Sequence, residues 1–202
     1  MLVALVCTLP TAVMASADKY MESLHNWVNA GCSIVFEFTA VNRNGKEVLS
    51  YGGTLDIKND AYALAVPGAM KVISNGKEKI MINEETKEAM LAANNASSRD
   101  LLENPLQIAF DYDKSFKLSN GKDNSVELED KNTHSAYPKI CIWFKPGSQE
   151  ASWVPQKFEI EGKDGSIYTV IVKSFSSPMK ISGNEFDLSP GKLAGYQLID
   201  LR

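Results

Sequence analysis

The sequence predicts a mainly β domain, a barrel or strongly curved antiparallel sheet with a few short helices. Apolar residues alternate with polar ones over many short runs, the period of strands with two unlike faces. Turn-forming pairs separate the runs: Asn44-Gly45, Asn59-Asp60, Asn75-Gly76, Asn120-Gly121 and Asp164-Gly165. The runs add up to about ten or eleven strands in one domain, and curling or closing is how antiparallel sheets of that size manage their edges.

The chain has 202 residues and a formal net charge of -4, with lysines scattered among acids. It shows no basic stripe, which argues against nucleic acid as a partner. Residues 1–17, MLVALVCTLPTAVMASA, are uncharged and mostly apolar up to Met14 and end in a small-x-small Ala-Ser-Ala, so they read as a cleaved secretory signal peptide. Pro10 and the shortness of the run argue against a membrane span, which needs about 20 apolar residues. Cys7 has Val6 rather than a small residue before it and does not read as a lipidation site. Residues 18–202 then form one domain exported to an oxidising envelope. Cys32 and Cys141 could pair there or remain buried free thiols, and spacing leaves both readings open. No Cys-x-x-Cys and no histidine cluster is present, so no metal or cofactor is expected.

A first helix is expected over 18–30. Tyr20, Met21, Leu24, Trp27 and Val28 recur at helical spacing and Gly31 stops it. His25 on this helix has no visible catalytic partner and reads as a rim residue. Residues 32–41 form the first strand, with Ile34, Phe36, Phe38 and Ala40 on one face. The return strand over 46–54 contains Gly52-Gly53, a bulge or bend signal. A meander follows through 52–92. In it Leu55 and Ile57, then Tyr62, Leu64 and Val66, then Ile80 and Ile82 alternate with polar or small residues.

After Ala92 the period of two is lost. Ser97 or Ser98 can cap a short helix carrying Leu101 and Leu102. Asn104-Pro105 can open another that presents Leu106, Ile108, Ala109 and Phe110. These helices read either as a cover on the sheet or as an ordinary crossover. Strands resume at 115–118, 125–129, 139–145, 153–161, 166–174, 185–188 and 197–201, with Phe144 and Phe158 among their apolar residues. His134 stands near Asp130 and Ser135, but proximity in sequence does not make a triad. Nucleophile elbow, paired carboxylates and phosphate loop are all missing, so the chain does not read as an enzyme.

In order and spacing these segments resemble the LolA-like periplasmic carriers of outer-membrane lipoproteins. The likeness rests on the leader and amphipathic helix, SIVFEFTAV, the G-x-L-x-I-K run at Gly53 to Lys58, VISNGKEKIMINEETKEAML, ENPLQIAFDY, DGSIYTVIVKSF and the terminal GYQLIDLR. It implies an unclosed antiparallel β-barrel of about eleven strands with a helical lid over a hydrophobic cavity. It also implies a monomeric periplasmic chaperone that takes acylated lipoproteins from an inner-membrane transporter to an outer-membrane acceptor. Carriage of acyl chains through water requires such shielding, at about 0.8 kcal/mol per buried methylene. The resemblance places Ile34, Phe36, Phe38, Leu55, Ile57, Tyr62, Leu64, Ile80, Ile82, Phe144 and Phe158 in the cavity wall, and Leu106, Ile108 and Phe110 in the lid. Plain core packing is the alternative for each. The chain departs from the family at Lys58-Asn59-Asp60, where Lys-Arg-Pro is common, so the arginine that tethers the lid has no counterpart. Carriage or sensing of other lipids or glycolipids, and a structural or protein-binding module, are the alternative functions.

Overall fold

The computed structural model describes residues 16–94, 100–148, 152–179 and 184–202. The signal-peptide reading, except for its last two residues, and the proposed caps Ser97 and Ser98 lie outside them. The chain begins with α1 (Ala17–Ala30), followed by β1 (Cys32–Val41), β2 (Glu47–Lys58), β3 (Ala61–Val66), β4 (Met70–Ser74), β5 (Glu78–Asn83) and β6 (Glu88–Ala93). A 3-10 turn (Pro105–Gln107) runs into α2 (Ile108–Ser115). Next come β7 (Phe116–Asn120), β8 (Ser125–Asp130), β9 (Lys139–Pro146), β10 (Trp153–Glu161), β11 (Ile167–Ser176) and β12 (Gln197–Asp200).

The strands form a single 12-stranded sheet in the order β12-β6-β5-β4-β3-β2-β1-β11-β10-β9-β8-β7. Two antiparallel meanders are joined where β1 pairs with β11, and the parallel β12 is added outside β6. The sheet is unclosed, with β12 at one edge and β7 at the other. The chain therefore leaves β6 next to one edge and resumes at β7 on the opposite edge. Everything between them has to cross the sheet, and the segment with the 3-10 turn and α2 does so on the inner face.

Several expectations are corrected. Residues 101–103 form a turn, not a helix, because Asp100 folds the chain back on itself: its carboxylate accepts from Leu102 N–H and its carbonyl from Asn104 N–H. Residues 184–188 are irregular where a strand was expected. There Asp187 turns the chain by accepting from the N–H and hydroxyl of Ser189. The β4–β5 turn is centred one residue later than Asn75-Gly76. Asn75 Oδ1 accepts from the N–H groups of Lys77 and Glu78, and Gly76 takes the positive φ of 91°.

Gly52-Gly53 is not a bulge. Both residues stay in register, Phe36 with Gly53 and Glu37 with Gly52, and the break in β1–β2 pairing lies at Ala40/Val41. Gly53 is required by close approach instead: a Cβ there would meet Ala65 O at 2.7 Å and Phe36 Cζ at 2.9 Å. Gly53→Ala should cost about 1–3 kcal/mol by overpacking against backbone that has little room to move. Gly52→Ala, whose Cβ would sit at an ordinary 3.5 Å from Phe36 O, should be nearly neutral. Chemical denaturation of the two variants checks the contrast.

The main core lies between the inner face of the sheet and α1. Tyr20, Met21, Leu24 and Val28 are buried along one side of that helix. The Tyr20 ring stacks on Phe144 at 5.0 Å and meets Trp153 edge-on. Trp27 donates to Trp153 O at 2.9 Å. Cys32 is buried on this inner face, whereas Cys141 points to the outer face of β9, and β11 and β10 stand between their strands. Both are free thiols. Burial, then the Asp56 carboxylate, pushes Cys32 up to about 12, so it holds almost no thiolate, the nucleophilic form, at pH 8. Alkylation of the native protein followed by peptide mapping should label Cys141 well before Cys32.

Candidate functional site

The candidate site is the inner face between β1–β5 and the crossing segment. Antiparallel register fixes which residues share this face. Ile34, Leu55, Leu64, Val72 and Met81 lie in one row, and Cys32, Ile57, Tyr62, Ser74 and Lys79 in the next. Ile34, Phe36, Phe38, Leu55, Ile57, Tyr62, Leu64, Phe144 and Phe158 are all buried in one cluster with Leu106 and Ile108, and Phe110 packs half-buried against it. Of these, Phe144 lies under α1, not under the crossing segment.

Ile80 and Ile82 do not join the others. They are on the opposite face, where they form a separate cluster with Ala89 and Leu91 under Leu188, Leu193 and Tyr196 of the C-terminal segment. The inner-facing residues of β5 are Met81 and Lys79, and Lys79 is only 5% exposed.

Lys79 is part of a polar clasp that hydrophobic patterning does not reveal. Its ammonium donates to Glu103 Oε2 at 2.9 Å and Oε1 at 3.2 Å, and Tyr62 donates its hydroxyl to the same carboxylate. At the other end of the same turn, Asp100 accepts from Tyr137 Oη at 3.1 Å. Burial, then Asp100, raises the Tyr137 phenol above its usual value, so it stays a donor. The turn from Asp100 to Glu103 therefore bonds to both walls of the trough. Below it, Ile34, Phe36, Leu55 and Val170 face Leu102, Glu103 and Pro105 around a space of about 10 Å³. His25 Nδ1 lies 3.0 Å from Ala109 O and its ring meets Phe110 edge-on, which joins α1 to α2. The side chains around His134 serve turns: Ser135 Oγ accepts from Tyr137 N–H and Asp130 from Asn132 N–H.

An unclosed antiparallel sheet with helices across its inner face can be set beside solved structures. A LolA-superfamily protein from Nitrosomonas europaea superposes with a TM-score of 0.52 at 10% identity, over 86% of this chain and 98% of that one. The chain has a LolA-like fold. A conserved, uncharacterized protein from Thermus thermophilus is similar too, with a TM-score of 0.55 at 8% identity, over 91% of this chain and 98% of that one. No family model and no curated protein matches the sequence. In this LolA-like chain the crossing segment is the lid, and the Lys79–Glu103–Tyr62 clasp closes it. Among the described residues no helix is long and apolar enough to cross a membrane, and no group of metal-ligating side chains is present.

Proposed function

We propose that this protein is a periplasmic carrier that shields the acyl chains of lipoproteins, receiving them from an inner-membrane transporter and delivering them to an outer-membrane acceptor. The observation that carries this reading is the lid: it crosses an apolar trough but is fastened at its mouth by polar bonds from Glu103 and Asp100. Apolar walls supply the affinity for acyl chains. A fastening of a few hydrogen bonds can open and reclose, which release of cargo demands. The space under the closed lid is small, so loading moves the lid away from Ile34, Phe36 and Leu55. The fold likeness to a LolA-superfamily protein supports the same reading. Native mass spectrometry with an added diacylated lipopeptide tests it. One lipopeptide per chain is expected, together with loss of protection from hydrogen exchange over residues 100–115. An unchanged mass and no uptake of a hydrophobic dye would overturn it.

A further inference from the structure

A second, polar space lies between the lid and the first turn of the meander. Asn59, Asp60, Asn94, Asn104 and Gln107 surround it, with Tyr62 and Phe110 as its walls, and its volume is about 10 Å³. That is room for one small polar group. Asn104 is 1% exposed and Asn94 8% exposed. The side-chain oxygen Oδ1 of each is buried and accepts no hydrogen bond among the described residues. Buried acceptors without donors are costly and native chains keep few of them. The orientation of Asn94 is fixed by its surroundings. Its Nδ2 donates to Ser74 Oγ at 2.9 Å and towards Gly76 O at 3.4 Å, while the Ser74 hydroxyl donates to Glu78 O. Turning the amide over would set its oxygen against the Gly76 carbonyl.

We propose that Asn94 and Asn104 form a subsite for a single hydrogen-bond donor, an N–H or O–H, next to the acyl chains of the cargo. This rests on the carrier reading. Tyr62 lines the polar space, and Glu103 lines the apolar space beside Ile34 and Leu55. The hydrogen bond between Tyr62 and Glu103 is the partition between the two. Chains enter the apolar side as the lid rises from Ile34 and Leu55, and the first polar atoms of the head come to lie where that hydrogen bond stood, between Asn94 on the sheet and Asn104 on the lid. Acceptor oxygens, with Asp60 among them, favour amides and hydroxyls and disfavour carboxylates and phosphates.

Displacement of a hydrophobic fluorescent dye by three ligands of equal chain length tests this: an acyl N-methylamide, a monoacylglycerol and an acyl methyl ester, which has no donor. The amide or the glyceride, or both, should bind about tenfold tighter than the ester. Preference for the amide identifies a peptide head and preference for the glyceride a glycerol head; either supports the subsite. Asn94→Leu and Asn104→Leu should each reduce the preference to near unity and leave ester affinity unchanged. Asn104→Leu should keep or raise the melting temperature, whereas Asn94→Leu, which also gives up the donations to Ser74 and Gly76, should lower it. Equal binding of all three by the unaltered protein would overturn the subsite while leaving the carrier intact, since the asparagines would then hold only a water. Retention of the preference in both variants would overturn it as well. Binding of none of the three, ester included, would overturn the carrier reading itself.

Discussion

Glu103→Leu should lower stability by about 3–5 kcal/mol, because it leaves the Lys79 ammonium in a buried place without its carboxylate. The Lys79 and Glu103 side chains are 7% and 12% exposed, so solvent screening offers little relief. The same change removes the acceptor of the Tyr62 hydroxyl. In a chain of this length the loss corresponds to a melting temperature lower by about 10 °C. The Glu103→Leu/Lys79→Met pair should recover most of it, since apolar replacement of both members of a buried ion pair is often neutral or better. The lid then closes on apolar contact alone, and acyl uptake should slow although the fold is sound. Thermal unfolding and stopped-flow uptake of a fluorescent lipid separate the two effects. A single variant that costs less than about 1 kcal/mol, the range of surface pairs, would show that the clasp does not hold the lid.

The second large effect is expected at the other face. Ending the chain before residue 184 removes Leu188, Leu193, Tyr196 and β12, and uncovers Ile80, Ile82 and Leu91. Each such side chain contributes about 1.5–3 kcal/mol when fully buried, so partial exposure of the cluster should cost on the order of 4 kcal/mol. It also leaves β6 as an exposed, apolar sheet edge, a template for pairing with another chain. The shortened protein should self-associate in light scattering at concentrations where the full chain does not. A monomer of unchanged melting temperature would show that the C-terminal segment is dispensable. The Arg202–Glu78 ion pair at 2.8 Å is exposed and adds little; Arg202→Ala serves as the mild control.

These two regions also mark where the sequence was legible and where it was not. Strand positions were readable because each strand has unlike faces: β1, with Ile34, Phe36 and Phe38 buried, matches its expected bounds. α1 was readable from Tyr20, Met21, Leu24 and Val28. Facing direction was readable only where one face is polar. In β5 both faces are covered, one by the lid and one by the C-terminal segment. Ile80 and Ile82 therefore look like the inner set although register places Lys79 and Met81 there. The link is the pairing of Leu64 with Val72 and of Val72 with Met81, which depends on loop lengths that alternation within one strand does not reveal. The clasp was hidden for a related reason: a lysine in KEKIMIN and a glutamate in LLENP read as surface charge until the fold brings them together. Asn104 was singled out as a helix cap, yet its side chain makes no capping bond, and its buried oxygen points to a different use.

The route from β6 to β7 has a mechanical consequence. The sheet is an arc, and the lid is a chord strung between strands near its two ends, pinned midway by Glu103 on one limb and Asp100 on the other. A chord and its bow cannot change length independently. Anything that flattens the arc, such as a partner gripping its convex back, pulls the string taut and lifts it from the trough. On the carrier reading proposed above, a cargo wedged beneath the string spreads the limbs in turn, and loading and unloading are one deformation run in two directions, which a partner drives without touching the acyl chains.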